Sequence, residues 1–180
     1  MEKNTIEKPL NKITNSSIIT FDLEEIYPEG ERIEYDIKQN LFQELILREK
    51  DFRAFVKQYD WSQYQGKFVN VVCSADAIVP MWAFMVIVSN IEPYAKKVVI
   101  GTKSELESEL YRDIFNTYDW QQFLDKKVVI KGCSKIKIPN FVYGEATRRL
   151  APIAKLIMFG EACSSVPVYK KPKISVSSNQ

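Results

Sequence analysis

The chain has 180 residues, of which 46% are hydrophobic and 27% are charged, with a formal net charge of +2 and no histidine. This length suits one well-buried domain and is short for two, and the weak charge gives no case for a nucleic-acid or membrane surface. The lack of histidine excludes Ser-His-Asp and Cys-His nucleophile activation, and it excludes zinc sites of mixed cysteine and histidine type.

The first third of the chain predicts a flexible end, two strands and a helical stretch. Residues 1–16 are polar, and we expect them to be flexible. Residues 17–23 and 32–37 have the composition of strands, and a Pro-Glu-Gly turn separates them. Residues 38–59 place apolar side chains at helical spacing, with a break near Arg48.

An internal duplication at an offset of 59 residues organises the remainder. The sequence YDWSQY at 59–64 reappears as YDWQQF at 118–123. Each copy, about 44–101 and 103–160, shows the pattern helix, strand, helix, strand. Two tandem βαβ units with right-handed crossovers follow from this pattern.

Helix-start signals fix the helices of the duplicated units. Residues 80–95 and 139–154 are helical in length, and each range opens with proline, which suits a first helical position. The helix that links the two copies is predicted to open with a capping box at Ser104 and Glu107 and to run to about Asn116.

The predicted fold is α/β, a single domain with a parallel sheet built from the two repeats and extended by the N-terminal strands. The repeat strands are 67–73, 97–100, 126–132 and 156–159. By analogy with doubly wound folds we expect the first and third of these strands to be neighbours at the centre of one sheet.

Chain organisation and location follow from composition. We expect a single domain over residues 17–168 and a flexible, basic and Ser-rich tail over 169–180. The chain start lacks the apolar core of a signal peptide, and three cysteines do not make a disulfide framework. A cytoplasmic location is therefore expected.

The three cysteines are the main chemical feature. Cys73 and Cys133 follow matched strands of the two copies, and Cys163 follows the last repeat strand. In the expected strand order these thiols meet at the carboxyl edge of the sheet, where α/β folds bind ligands. Three thiolates there would hold zinc or an iron–sulfur cluster, with Asp76 or Glu161 as an oxygen ligand.

Two other interpretations stay open. A thiol-based sulfur or acyl transferase would use Cys73 or Cys133 as a nucleophile at a helix start. Alternatively, the cysteines only pack in the core, as cysteine often does, and the chain is a non-catalytic protein-interaction module. That module is expected to use the helix at 81–91, which is apolar nearly all round and suits a homodimer face.

Five motifs carry a family resemblance: TFDL at 20–23, YPEG at 27–30, DWSQY at 60–64, CSADAIVP at 73–80 and KGC at 131–133. They resemble an uncharacterised Bacteroidetes family, domain of unknown function 2480, over nearly the whole chain. The resemblance brings no established activity, but members are often encoded beside iron–sulfur assembly genes, which implies iron–sulfur assembly proteins as partners. The leading hypothesis is a cytoplasmic, non-enzymatic accessory protein that binds a metal or an iron–sulfur cluster.

Overall fold

The computed structural model describes residues 18–131 and 135–172, and it confirms the predicted α/β class. The described helices are α1 (Glu49–Gln58), α2 (Met81–Ile91), α3 (Lys103–Thr117) and α4 (Asn140–Leu150). The described strands are β1 (Ile18–Asp22), β2 (Arg32–Asp36), β3 (Leu41–Phe42), β4 (Ile46–Leu47), β5 (Phe68–Val72), β6 (Lys97–Ile100), β7 (Lys127–Lys131), β8 (Leu156–Glu161) and β9 (Ser164–Lys170). Within these ranges no helix has the length and apolar composition needed to cross a membrane.

The repeat strands lie in two sheets, so the expected single central sheet is wrong. Sheet A has the order β1-β7-β8-β9, and sheet B has the order β2-β5-β6. All pairs are parallel except β8 with β9. β5 and β7 are not neighbours because β2 occupies the free edge of β5 and β1 occupies the free edge of β7. The N-terminal strands do extend the repeats, but each extends a different one.

The duplicated units are otherwise built alike. In each unit a helix leads through a short 3-10 turn into the central strand, a second helix and an outer strand. The indole nitrogen of Trp61 donates to the carbonyl oxygen of Val56 at 3.0 Å, and that of Trp120 donates to Phe115 at 2.8 Å. Both tryptophans therefore anchor the connection between helix and strand, in the role that aromatic residues with a polar handle commonly take.

Helix α3 joins the two halves because it lies between the sheets. Its Leu106 and Leu110 pack with Phe68 of sheet B, whereas its Tyr111 and Phe115 belong to the core cluster of sheet A. The opposite face of sheet B is covered by α1 and α2, whose buried side chains form a separate cluster with alternate residues of β5. The layers are therefore α1 with α2, sheet B, α3, and sheet A, and α4 packs with α3 in the core cluster of sheet A.

Two segments differ from the sequence-based prediction. Residues 38–47 were expected to be helical, but a 3-10 turn at Ile37–Asn40 leads into the β3–β4 hairpin. The hairpin loop has three residues, Gln43 to Leu45, between the paired Phe42 and Ile46. Gln43 and Glu44 have φ values of 50° and 59°, and the backbone N–H of Leu45 donates to the carbonyl oxygen of Phe42 at 3.1 Å. α1 begins at Glu49, next to the expected break at Arg48.

Strand β9 was missed by sequence reasoning. Gly160 was expected to end the last repeat strand, but β8 continues through it and turns back into β9. β9 contains Pro167, which is tolerated because β9 is an edge strand. The strand runs to Lys170, two residues into the expected tail, whose residues 173–180 lie outside the described part, as does the N-terminal segment expected to be flexible.

Candidate functional site

The predicted three-thiol site required the strands before Cys73 and Cys133 to be neighbours in one sheet, and they lie in different sheets. Cys73 follows β5 at the carboxyl edge of sheet B, whereas Cys163 lies in the turn between β8 and β9 of sheet A. Cys133 lies outside the described residues. Among residues 18–131 and 135–172, no three Cys, Asp or Glu side chains are grouped so that they could hold a metal ion.

The two described thiols have different surroundings. Cys73 is half-buried against the core cluster of sheet B, and its Sγ lies 3.7 Å from the carbonyl oxygen of Ala75. Cys163 is exposed, and neither thiol forms a disulfide. The half-buried packing of Cys73 is typical of a cysteine that fills space at the end of a strand.

The expected oxygen ligands are also apart. Asp76 is exposed in the loop that follows β5. Glu161 ends β8 at the edge of sheet A, where its Oε1 lies 4.0 Å from Nζ of Lys131. Lys131 also forms an ion pair with Asp22 at 3.3 Å, so Glu161 belongs to a carboxylate–lysine group on sheet A.

The loop after β5 is fixed at its start by Asp36. Ser74 donates to this carboxylate from its backbone N–H at 3.0 Å and from its hydroxyl at 2.5 Å, and the backbone N–H of Lys38 donates at 2.9 Å. Burial alone would raise the pKa of Asp36, but these hydrogen bonds hold it below its ordinary value. The contact ties the end of β2 to the loop that leads into α2.

An apolar surface follows this loop. Ile78 is 94% exposed, Met81 is 64% exposed and Met85 is 63% exposed. Three apolar residues of the β3–β4 hairpin are also exposed, one of them, Phe42, beneath the Arg48 guanidinium at 3.2 Å from its ring centroid. Leu41 and Leu47 of the hairpin pack into the core cluster that α2 helps to form. We call the six exposed residues the apolar edge: Phe42, Leu45, Ile46, Ile78, Met81 and Met85.

The capping box of α3 lies two residues earlier than predicted. Thr102 is the N-cap, and its hydroxyl accepts from the backbone N–H of Glu105 at 3.3 Å. The Glu105 carboxylate in turn accepts from the backbone N–H of Thr102 at 2.7 Å. The expected pair, Ser104 and Glu107, is therefore free for other contacts.

Glu107 is instead a buried charge, with 5% of its surface exposed. Its Oε1 accepts from Arg32 Nε at 3.0 Å and from the Tyr27 hydroxyl at 2.9 Å. The Arg32 guanidinium lies between the rings of Tyr27 and Phe68, 4.3 and 4.9 Å from their centroids. Burial and the hydrogen bond to Glu107 raise the pKa of Tyr27. This network joins β2 to α3 between the two sheets.

A groove of about 460 Å³ opens beside the network, at the start of α3 and the loop that precedes α4. Three lysines stand around it, and Tyr27 and Glu107 line it as well. We call it the basic groove, defined by Tyr27, Lys103, Ser104, Glu107, Lys135 and Lys137. Sequence reasoning missed it because Ser104 and Glu107 were assigned to the cap. The two lysines at 135 and 137, separated by one apolar residue, were the sequence feature that could have indicated a cationic site.

A family model described as a protein of unknown function, DUF2480, matches residues 7–171. The chain belongs to the DUF2480 family. The matched range contains every described strand and helix, so the predicted resemblance is confirmed. No curated protein and no solved structure matches the chain. The function of this DUF2480 protein must therefore be argued from its own surfaces.

The duplication places those two surfaces on equivalent elements. The apolar edge includes the loop and first turns between β5 and β6, and the basic groove includes the loop between β7 and β8. At the offset of 59 residues, Asp76 and Ile78 of the first loop correspond to Lys135 and Lys137 of the second. The same backbone element has thus acquired apolar chemistry in one copy and cationic chemistry in the other.

Proposed function

We propose that this DUF2480 protein is a non-enzymatic protein-interaction module that pairs with a second copy of itself through the apolar edge. The observation that carries the proposal is the exposure of Met81 and Met85 on one side of α2, a helix without charged residues, together with the exposure of Ile78 in the loop before it. Burying the exposed part of each such side chain contributes about 1–2 kcal/mol. An apolar surface of this kind on a protein commonly marks a contact site.

Helix α4 is an internal reference for α2, because the two helices are equivalent elements of the duplication. At the positions of Met81 and Met85, α4 has Asn140 and Gly144, which are also exposed. The fold therefore does not require apolar side chains at these positions. Their presence on α2 supports a role outside the fold of the single chain.

A second copy is the occupant that this surface suits best. A two-fold interface places the same surface of each copy against the other, so a charge close to the axis would lie next to its own copy. The exposed stripe of α2, at Met81, Met85 and Ser89, carries none. Methionine side chains also adapt their shape to an apolar partner. The hairpin residues of the apolar edge extend the surface toward the area of about 800 Å² per subunit that stable interfaces bury.

Sedimentation velocity of the purified chain tests the proposal. We expect a dimer at about 100 µM, and we expect Met81→Lys/Met85→Lys to weaken dimerisation by about 100-fold or more, since four buried methionines are lost per dimer. The matched control is Asn140→Lys/Gly144→Lys on α4, where a side chain at Gly144 meets no atom within 4 Å. A wild-type monomer at every concentration, or equal weakening by the control, overturns the proposal.

The cysteine hypotheses stay predictions from the sequence. One hypothesis is that a metal or an iron–sulfur cluster binds Cys73, Cys133 and Cys163, and the link to iron–sulfur assembly proteins depends on it. Anaerobic purification with metal and sulfide analysis tests this hypothesis. Loss of bound metal in Cys133→Ser would support it, whereas a metal-free wild type would end it. Thiol-labelling rates against pH test the transferase alternative, because a nucleophilic thiol labels well below its usual pKa of about 8.5.

A further inference from the structure

We propose that the basic groove binds a small phosphorylated molecule. The groove lies at the carboxyl edge of sheet A, where the chain leaves β7 and enters α4 and where α3 begins. Ligands of open α/β sheets bind at this kind of edge. The volume of about 460 Å³ lies within the range of about 300–1,000 Å³ of small-molecule sites, so the groove suits a metabolite rather than a polymer.

The charges around the groove favour an anion. Lys103, Lys135 and Lys137 line it, and the one carboxylate among its lining residues is that of Glu107. Arg32 neutralises this carboxylate through an ion pair in which both side chains are about nine-tenths buried. The charges of Lys103 and Lys137 are therefore left in excess at the groove. Lysine binds phosphate as a point charge, and a phosphate dianion gains more from two such cations than a single carboxylate does.

Three donors of the groove are available to a ligand. In the part of the chain that the structure describes, the Ser104 hydroxyl and the ammonium groups of Lys103 and Lys137 have no hydrogen-bond or ion-pair partner. α3 begins at the groove, but the Glu105 carboxylate of its capping box offsets the positive helix end, so the field at the groove comes from the lysines. The groove thus combines free donors with an unbalanced positive potential.

The buried network gives the groove a rigid wall. Glu107 is held by Arg32 and Tyr27, and Arg32 is held between two aromatic rings. Both Glu107 oxygens face Arg32, at 3.0 and 3.4 Å from its nitrogens, so the carboxylate is committed to this ion pair. A fixed wall lowers the ordering cost that a ligand meets on binding.

Titration calorimetry with inorganic pyrophosphate as the probe tests the proposal on the full-length chain. Lys103→Ala/Lys137→Ala is expected to weaken pyrophosphate binding by about tenfold, since each exposed ion pair contributes about a factor of 2–5. The matched control is Lys50→Ala/Lys57→Ala, which removes two exposed lysines from α1 on the other face of sheet B. The control is expected to leave the affinity within about twofold.

Two further arms make the result decisive. Citrate, a carboxylate anion of similar charge, is expected to bind more weakly than pyrophosphate, and tighter citrate binding overturns the phosphate assignment. Raising the salt concentration from about 50 to 500 mM is expected to weaken pyrophosphate binding through screening. No saturable pyrophosphate binding at the lower salt concentration, or equal losses in the two lysine pairs, overturns the groove as a site.

Discussion

Replacing the buried Glu107 by alanine is expected to destabilise the chain more than replacing any of the exposed or half-buried charges described above. The substitution leaves Arg32, whose side chain is 10% exposed, without its counter-charge between two sheets. It also removes the acceptor of the Tyr27 hydroxyl. Removing one partner of a buried ion pair costs about 3–5 kcal/mol, because the remaining charge stays desolvated.

The free-energy cost of Glu107→Ala is large compared with the free energy of unfolding of a protein of this size. Native domains are stable by about 5–15 kcal/mol, so Glu107→Ala would remove about a third or more of the free energy of unfolding. With a urea dependence of about 2 kcal/mol per molar, the unfolding midpoint would fall by about 2 M. Urea titration followed by circular dichroism or tryptophan fluorescence measures this shift.

A double-mutant cycle separates the ion pair from simple loss of packing. The cycle compares Arg32→Met, Glu107→Leu and the double variant Arg32→Met/Glu107→Leu. The double variant removes both charges and keeps apolar volume, so it is expected to be less destabilising than Glu107→Leu alone. If Glu107→Ala costs less than about 1 kcal/mol, or if the Arg32 and Glu107 substitutions add without coupling, the network does not join the two sheets as described.

Two further predictions concern α3 and α4. Hydrogen bonds from Arg148, and also from Arg149, lower the pKa of Glu145 from 4.5 to about 2. The stability that this carboxylate contributes is therefore fully present above pH 4.5 and is lost as the pH falls toward 2. Glu145→Gln is expected to flatten the acid side of the stability–pH curve by about 1 kcal/mol, and an unchanged curve would contradict this. Thr102→Ala is expected to cost about 1 kcal/mol as a lost N-cap, whereas Ser104→Ala is expected to be neutral for stability. Thermal unfolding of both variants decides which residue is the cap.

The local elements of this fold are predictable from the sequence because local patterns determine them. The β-branched strands at 68–72 and 127–131 and the proline-led helices were expected within a few residues of their observed bounds. The order of the strands in the sheets was not predicted correctly, because it depends on which repeat strand β1 and β2 each pair with. Neither strand carries a local signal that distinguishes β5 from β7 as its neighbour.

The capping box shows the same limit at the scale of single residues. Thr102-x-x-Glu105 and Ser104-x-x-Glu107 both match the capping pattern, and nothing local decides between them. The structure selects the first because Glu107 faces Arg32, a residue 75 positions away. The basic groove was therefore invisible to sequence reasoning. Its lining comes from three separate segments, and two of its residues had been given another role.

The two proposed surfaces are physically separate, which makes the two proposals independent of each other. α2, which carries Met81 and Met85 of the apolar edge, covers the face of sheet B opposite to α3, where the basic groove begins. A second copy docked on α2 therefore leaves the start of α3 open to a ligand. The monomeric Met81→Lys/Met85→Lys variant keeps every residue of the groove, so pyrophosphate titration of that variant reports on the groove alone. A duplicated unit with one apolar and one cationic edge can in this way hold a partner and a small anion at the same time.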